Sequence, residues 1–163
     1  LLKRFTATPM RRSDFLLSLM ISRLVFTLLD VALLLTFSHF MFDIRVRGDW
    51  LAFVVLVVAG GAAFAGLGLL IGARAKTLET AAGLVNAVML PMYVLSGVFF
   101  SAARFPEAMQ PFIQILPLTA VNDGLRAIMN DGAGFAALGR PPLVLAAWGG
   151  VSFALALRFF RWR

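Results

Sequence analysis

An all-α, polytopic membrane bundle with four spans is the fold class this sequence predicts, and three observations predict it. Hydrophobic residues make up 61% of the 163 residues and charged residues only 14%, with a mean hydropathy of +0.90. Such a composition cannot supply a water-facing surface. The apolar residues gather into four runs, 15–42, 51–72, 80–100 and 143–160. A helix needs about 20 such residues to cross the hydrocarbon core, so the last run crosses with tilt or local thinning. Basic residues are dispersed at the ends of the runs instead of massed on one segment. The net charge of +7 and the pI near 11.5 are therefore read as membrane topology and not as nucleic-acid binding.

The same arithmetic excludes several function classes. Four spans and their links use the whole length, so the chain carries no nucleotide-hydrolysing domain of its own. With no cysteine there is no disulfide or thiolate chemistry, and a single histidine, His39, cannot build a metal site alone. His39 is read as an interfacial side chain. No signal peptide is visible at the start, and the absence of an initiator Met suggests a fragment.

Residues 1–13 hold Lys3, Arg4, Arg11 and Arg12 without an acid, and Pro9 interrupts any long helix, which predicts an aqueous segment. Ser13 or Asp14 is the expected N-cap of the first span. That span contains Arg23 and Asp30, and it ends at a polar stretch after which Trp50 sits at headgroup level. The second span is dense in small residues. Its pairs Gly61/Ala65, Ala62/Gly66 and Gly68/Gly72 are each four apart, a spacing that suits close helix packing along one side. Asn86, Pro91 and the Ser96-Gly97 pair should kink the third span or end it early. The fourth closes in a basic, aromatic anchor, Arg158, Arg161, Trp162 and Arg163.

Residues 101–142 differ from the rest: they hold five of the seven prolines and no run that approaches a spanning length. Pro106 is expected in the first turn of a short helix toward Leu116, with Pro111 bending it and Pro117 stopping it. Thr119 would cap a second helix from about Ala120 to Asn130, terminated by Gly132. On that helix Val121, Leu125, Ile128 and Met129 share one face, and Asn122, Asp123, Arg126 and Asn130 another. Asp123 and Arg126, three apart, are spaced to pair. Such a segment either rests on the headgroups or dips into the membrane as a gate.

Loop charge sets the orientation. Placing 1–13, 73–79 and 158–163 on one side collects nine basic residues there, against five on the other side that five acids balance. The positive-inside rule then puts both ends in the cytoplasm. Thirteen Arg against two Lys hint at a GC-rich bacterial genome.

The run LSGVFFSAARFPEAMQPFIQILPLTAVNDGLRAI resembles the signature region of the ABC-2 type permeases, the membrane subunits of ABC exporters. The resemblance is carried by Leu95 to Phe100, by Phe105-Pro106, by Leu116 to Thr119 and by Asp123 to Arg126. The N-terminal LKRFTATPMRRSDFL resembles the cytoplasmic connection before the family's third span. Ala120 and Ser101 depart from the pattern, where an aromatic residue and a proline are common.

This resemblance implies six spans with two half-helices between the fifth and sixth, of which the four runs are the third to sixth. It implies a second permease copy, homo- or heterodimeric, and separate ABC ATPase subunits that hold the ATP and Mg, so that this chain binds no cofactor and is not an enzyme. It implies a multi-pass protein of the bacterial inner membrane, surrounded by lipid.

By the same resemblance Arg4, Thr8, Pro9, Arg11 and Arg12 lie near the ATPase contact. Ser96, Gly97, Phe99, Phe100, Pro106, Pro117, Thr119, Asp123 and Arg126 belong to the external gate and the re-entrant segment. The basic residues also serve simply to set topology. Arg23, Asp30 and Asn86 are intramembrane polar groups. Asp30, near mid-span, should not face lipid and either lines the path or meets a polar partner on a neighbouring helix. Two other readings stand beside the permease: an ion-coupled secondary transporter, which needs several central ionisable residues, and a non-transporting membrane scaffold.

Overall fold

Helix formation follows the apolar runs. The computed structural model describes residues 12–75, 77–98 and 105–159, and among these every regular element is helical. Four helices are long and apolar enough to cross a membrane: α1 (Arg12–Phe42), α2 (Trp50–Arg74), α3 (Leu78–Leu95) and α6 (Arg140–Phe159). Between α3 and α6 lie a 3₁₀ turn (Glu107–Met109), α4 (Gln110–Ile115), α5 (Pro117–Met129) and a second 3₁₀ turn (Phe135–Ala137). The all-helical, four-span fold expected from the sequence is the fold observed.

The boundaries differ from the expected ones in ways that local chemistry explains. The described part of α1 is helical from Arg12, so Asp14 lies in its first turn. At 31 residues α1 is about 46 Å long, well beyond the roughly 30 Å hydrocarbon core. α2 starts at Trp50, where Asp49 supplies the cap: its Oδ1 accepts from the Leu51 N–H at 2.8 Å. Pro91 stays inside α3 without ending it, and the helix stops at Ser96-Gly97, where Gly97 takes φ +79°. A left-handed residue at that point is the reason for a glycine there. α6 begins three residues before the expected 143, since Pro141 and Pro142 fall in its first turn, where a missing N–H costs nothing.

α2 is the hub. It runs beside α6 in the same direction: Gly66 meets Ser152, Gly149 meets Ala63, and Arg74 stacks on the Phe159 ring at 4.3 Å from its centroid. A Cβ on Gly66 would stand 3.0 Å from the Ser152 Cβ, so the close approach depends on the glycine. Gly61 faces α1 at Leu24 and Thr27, while Gly60 faces Val121 of α5. The small residues of α2 therefore do not line one side, as their spacing suggested; they admit three different neighbours. A Cβ on Gly68 or Gly72 would meet nothing within 4 Å. The buried core, Ala52, Phe53, Leu56, Ala63, Ala120, Ile128, Leu138 and Leu145, joins α2 to α5 and α6. α3 touches this core lightly and is mostly exposed.

Enlarging Gly66 to leucine should therefore cost about 1–3 kcal/mol by overpacking. Gly68→Ala should be neutral or slightly stabilising. Thermal unfolding of the detergent-solubilised protein, followed by size-exclusion of the heated sample, separates the two; equal losses would remove the hub role from Gly66.

Candidate functional site

The segment between α3 and α6 is built on proline and on one amphipathic helix. Pro106 does not enter a helix; it precedes the 3₁₀ turn, whose Met109 N–H donates to the Pro106 carbonyl at 2.8 Å. Pro111 lies in the first turn of α4, so it helps to start that helix instead of bending it. Leu116 is extended, and α5 opens directly at Pro117, two residues before the expected cap. Thr119 is thus not an N-cap. It is 2% exposed, and its Oγ1 has no hydrogen-bond partner among the described residues. Proline at the first helical position carries no N–H to leave unpaired, so α5 starts without a side-chain cap.

Among the described helices α5 is by far the most amphipathic. Its buried face is Pro117, Thr119, Ala120, Gly124 and Ile128, and it packs antiparallel to α2. Val121 stands against Gly60, and Gly124 lies so close to Leu56 that a Cβ would approach its side chain to 2.7 Å. At the far end the Gly48 N–H donates to the Ile128 carbonyl at 2.9 Å, and the Asp49 N–H to the Ala133 carbonyl at 3.5 Å. Gly132, at φ +69°, makes the turn that presents Ala133. Val121, one turn into α5, thus lies at the level of Gly60, ten residues or about 15 Å along α2 from Trp50. The turn into α5 is held on the other side by Trp148, whose Nε1–H donates to the Ile115 carbonyl at 2.8 Å. Arg140 donates to Gln114 Oε1 at 3.0 Å.

The polar face of α5 is fastened to the end of α3. Arg126 donates to the Gly97 carbonyl at 2.6 Å, and Asn122 Nδ2 donates to the Ser96 carbonyl at 3.3 Å. Both acceptors lie just past the end of α3, at its C-cap and the residue after it, where carbonyls have no intrahelical partner. Asp123 and Arg126, spaced to pair, form no ion pair within 4 Å, because the guanidinium is directed to Gly97. Partial burial raises the Asp123 carboxyl above the usual aspartate range, and the Arg126 charge pulls weakly the other way.

Of the residues singled out in the sequence, Ser96, Gly97, Asn122 and Arg126 come together. Pro117 and Thr119 lie at the α5 start, and Pro106 stands apart at the entry to the segment. Arg4, Thr8, Pro9, Arg11, Phe99 and Phe100 lie outside the described residues, and Arg12 opens the described part of α1. Arg23, Asp30 and Asn86 are exposed on α1 and α3, with no side-chain hydrogen bond or ion pair among the described residues. Asp30 thus meets no polar partner among the described residues. Trp148, Gln114 and Arg140 were not anticipated as contacts; only the tryptophan, a residue with one N–H to satisfy, gave a signal.

The model of the family described as ABC-2 type transporter matches residues 1–130, and the chain belongs to that family. It is 30% identical over 118 residues to the inner membrane transport permease YhhJ of Escherichia coli (strain K12), covering 72% of this chain and 32% of that protein. It is 25% identical over 158 residues to the linearmycin resistance permease protein LnrN of Bacillus subtilis (strain 168), covering 97% of this chain and 41% of that one. The chain thus spans about a third to two-fifths of these relatives. No solved structure matches it.

The Arg126 contact carries a test. Arg126→Ala removes a charge-assisted bond and should lower stability by about 1.5–3 kcal/mol. Asp123→Asn, which imitates the protonated form that burial favours, should change it by less than about 0.5 kcal/mol. Equal losses in the two variants, read by thermal unfolding, would mean that an Asp123–Arg126 pair holds the helix.

Proposed function

We propose that this chain is the membrane portion of an ATP-driven exporter, forming part of the substrate path and its external gate while separate ABC ATPase subunits supply the energy. One observation carries the reading. α5 is too short to cross, has Val121 about 15 Å along α2 from Trp50 and runs back to the Trp50 end, where its Ile128 carbonyl accepts from Gly48. We infer that α4 and α5 form a re-entrant hairpin in the membrane. Backbone at such depth is tolerated where protein covers it, and the contacts to α2, α6 and the end of α3 provide that cover.

In this reading both ends of the chain are cytoplasmic, as the distribution of Arg and Lys supports. The loop at 43–49 and the hairpin are external. Arg126 and Asn122 then latch the hairpin to the third described span at Ser96-Gly97, so that movement of α3 moves the external cap. At the opposite end, α1 exceeds the core thickness, and its first residue, Arg12, follows Arg4, Thr8, Pro9 and Arg11 in the sequence. A helix that extends beyond the membrane is a rigid lever, suited to pass motion from an ATPase to the spans. A second permease copy completes the path, and Asp30 and Asn86, exposed here, face its helices or other spans of the full-length protein.

The coupling role is tested by replacing residues 8–12 of the full-length protein with a flexible Gly/Ser stretch. Insertion and ATPase binding should persist, while ATP hydrolysis in reconstituted vesicles no longer drives transport. Unchanged transport would contradict the assignment.

A further inference from the structure

Polar groups gather unpaired at the start of α5. A helix leaves its first N–H groups without intrahelical partners. Pro117 has no N–H, and the Ala120 N–H donates to the Leu116 carbonyl at 3.1 Å. Between them, the N–H groups of Leu118 and Thr119 make no hydrogen bond to a described residue. The Thr119 side chain adds its buried hydroxyl to this group. A helical threonine ordinarily turns its hydroxyl to the carbonyl three or four residues back. Those carbonyls are engaged here: Leu116 accepts from Ala120, and Ile115 accepts from Trp148 Nε1–H at 2.8 Å. The Thr119 hydroxyl reaches neither of them.

A buried hydroxyl or N–H without a partner is costly. The partner of Thr119 does not come from another span or a second copy of the full-length protein, because this chain's own residues already close Oγ1 off from the surface. A buried anion needs a cation beside it, and the side-chain nitrogen bonded at this turn is the neutral Trp148 Nε1. What fits is small and neutral, accepts from N–H groups and bonds a hydroxyl. Water meets each requirement. Helical side chains lean toward the N-terminus, so Thr119 lies against the turn where the free N–H groups emerge.

We propose that the turn between α4 and α5 holds an internal water, which accepts from the N–H groups of Leu118 and Thr119 and bonds Thr119 Oγ1, with the second lone pair of the Ile115 carbonyl as its remaining acceptor. The water joins the two short helices to each other and, through the shared carbonyl, to Trp148 of α6. Its depth in the membrane rests on the re-entrant reading; its binding does not, and the measurements below involve neither topology nor transport.

Thr119→Val keeps the shape of the side chain and removes the hydroxyl. Replacing a hydroxyl that bonds nothing leaves stability unchanged or raises it, whereas removing a ligand of a bound water lowers it. The thermal unfolding midpoint of the full-length protein should fall by about 2–4 °C in the variant. X-ray radiolysis, which generates hydroxyl radicals from bound water in place, supplies the second measurement. Pro117 is fully buried. It should be oxidised in the wild-type protein and several times more slowly in Thr119→Val. The proposal is overturned if Thr119→Val leaves the midpoint unchanged or raises it. It is equally overturned if Pro117 is oxidised at the same rate in the two proteins, which would mean that no water is held by the hydroxyl.

Discussion

How closely α2 lets other helices approach is the constraint on which the bundle depends. Lipid tails are as apolar as leucine, so apolar area alone does not hold two spans together, and contact must come from packing and from polar bonds. Gly60, Gly61 and Gly66 let α5, α1 and α6 come near α2 on three sides. At one end of the α2–α6 pair Arg74 stacks on Phe159, and midway along α6 the bond from Trp148 to the α4 carbonyl adds a directional contact to that packing. α3 makes few such contacts among the described residues.

The hairpin between α3 and α6 follows from the same physics. In the re-entrant reading proposed above, a helix that does not cross leaves polar ends at a depth where water is scarce, and each unsatisfied group there is costly. Pro117 reduces the number of donors at the α5 start, Trp148 satisfies a carbonyl at the turn, and Arg126 and Asn122 cover the carbonyls that end α3. The polar groups of α5 and α3 thereby solve one another's problem. That mutual satisfaction ties α5 to the end of α3.

Much of this was legible in the chain. Apolar runs of spanning length announced four crossing helices, and the break at Ser96-Gly97 announced the end of α3, because length and glycine act locally. The helix on which Arg126 sits was legible from its two faces. Contacts between distant residues were not. Spacing suggested a pair between Asp123 and Arg126, yet the guanidinium bonds Gly97, 29 residues away. The spacing of small residues on α2 revealed close packing but not that three neighbours share it. Thr119 looked like a cap because threonine favours that position, but a helix can open at proline without one, and Pro117 does so two residues earlier. Arg140 and Gln114 gave no signal, since neither spacing nor composition brings them together.

The account centres on a segment that enters the bundle and leaves from the same side. Its most direct test is labelling of single cysteines with a membrane-impermeant maleimide in the full-length protein, other cysteines removed. Glu107→Cys, before the hairpin, and Asp131→Cys, after it, should both react from the side on which Arg45→Cys reacts. If Glu107→Cys and Asp131→Cys react from opposite sides, the segment crosses the membrane and the account fails.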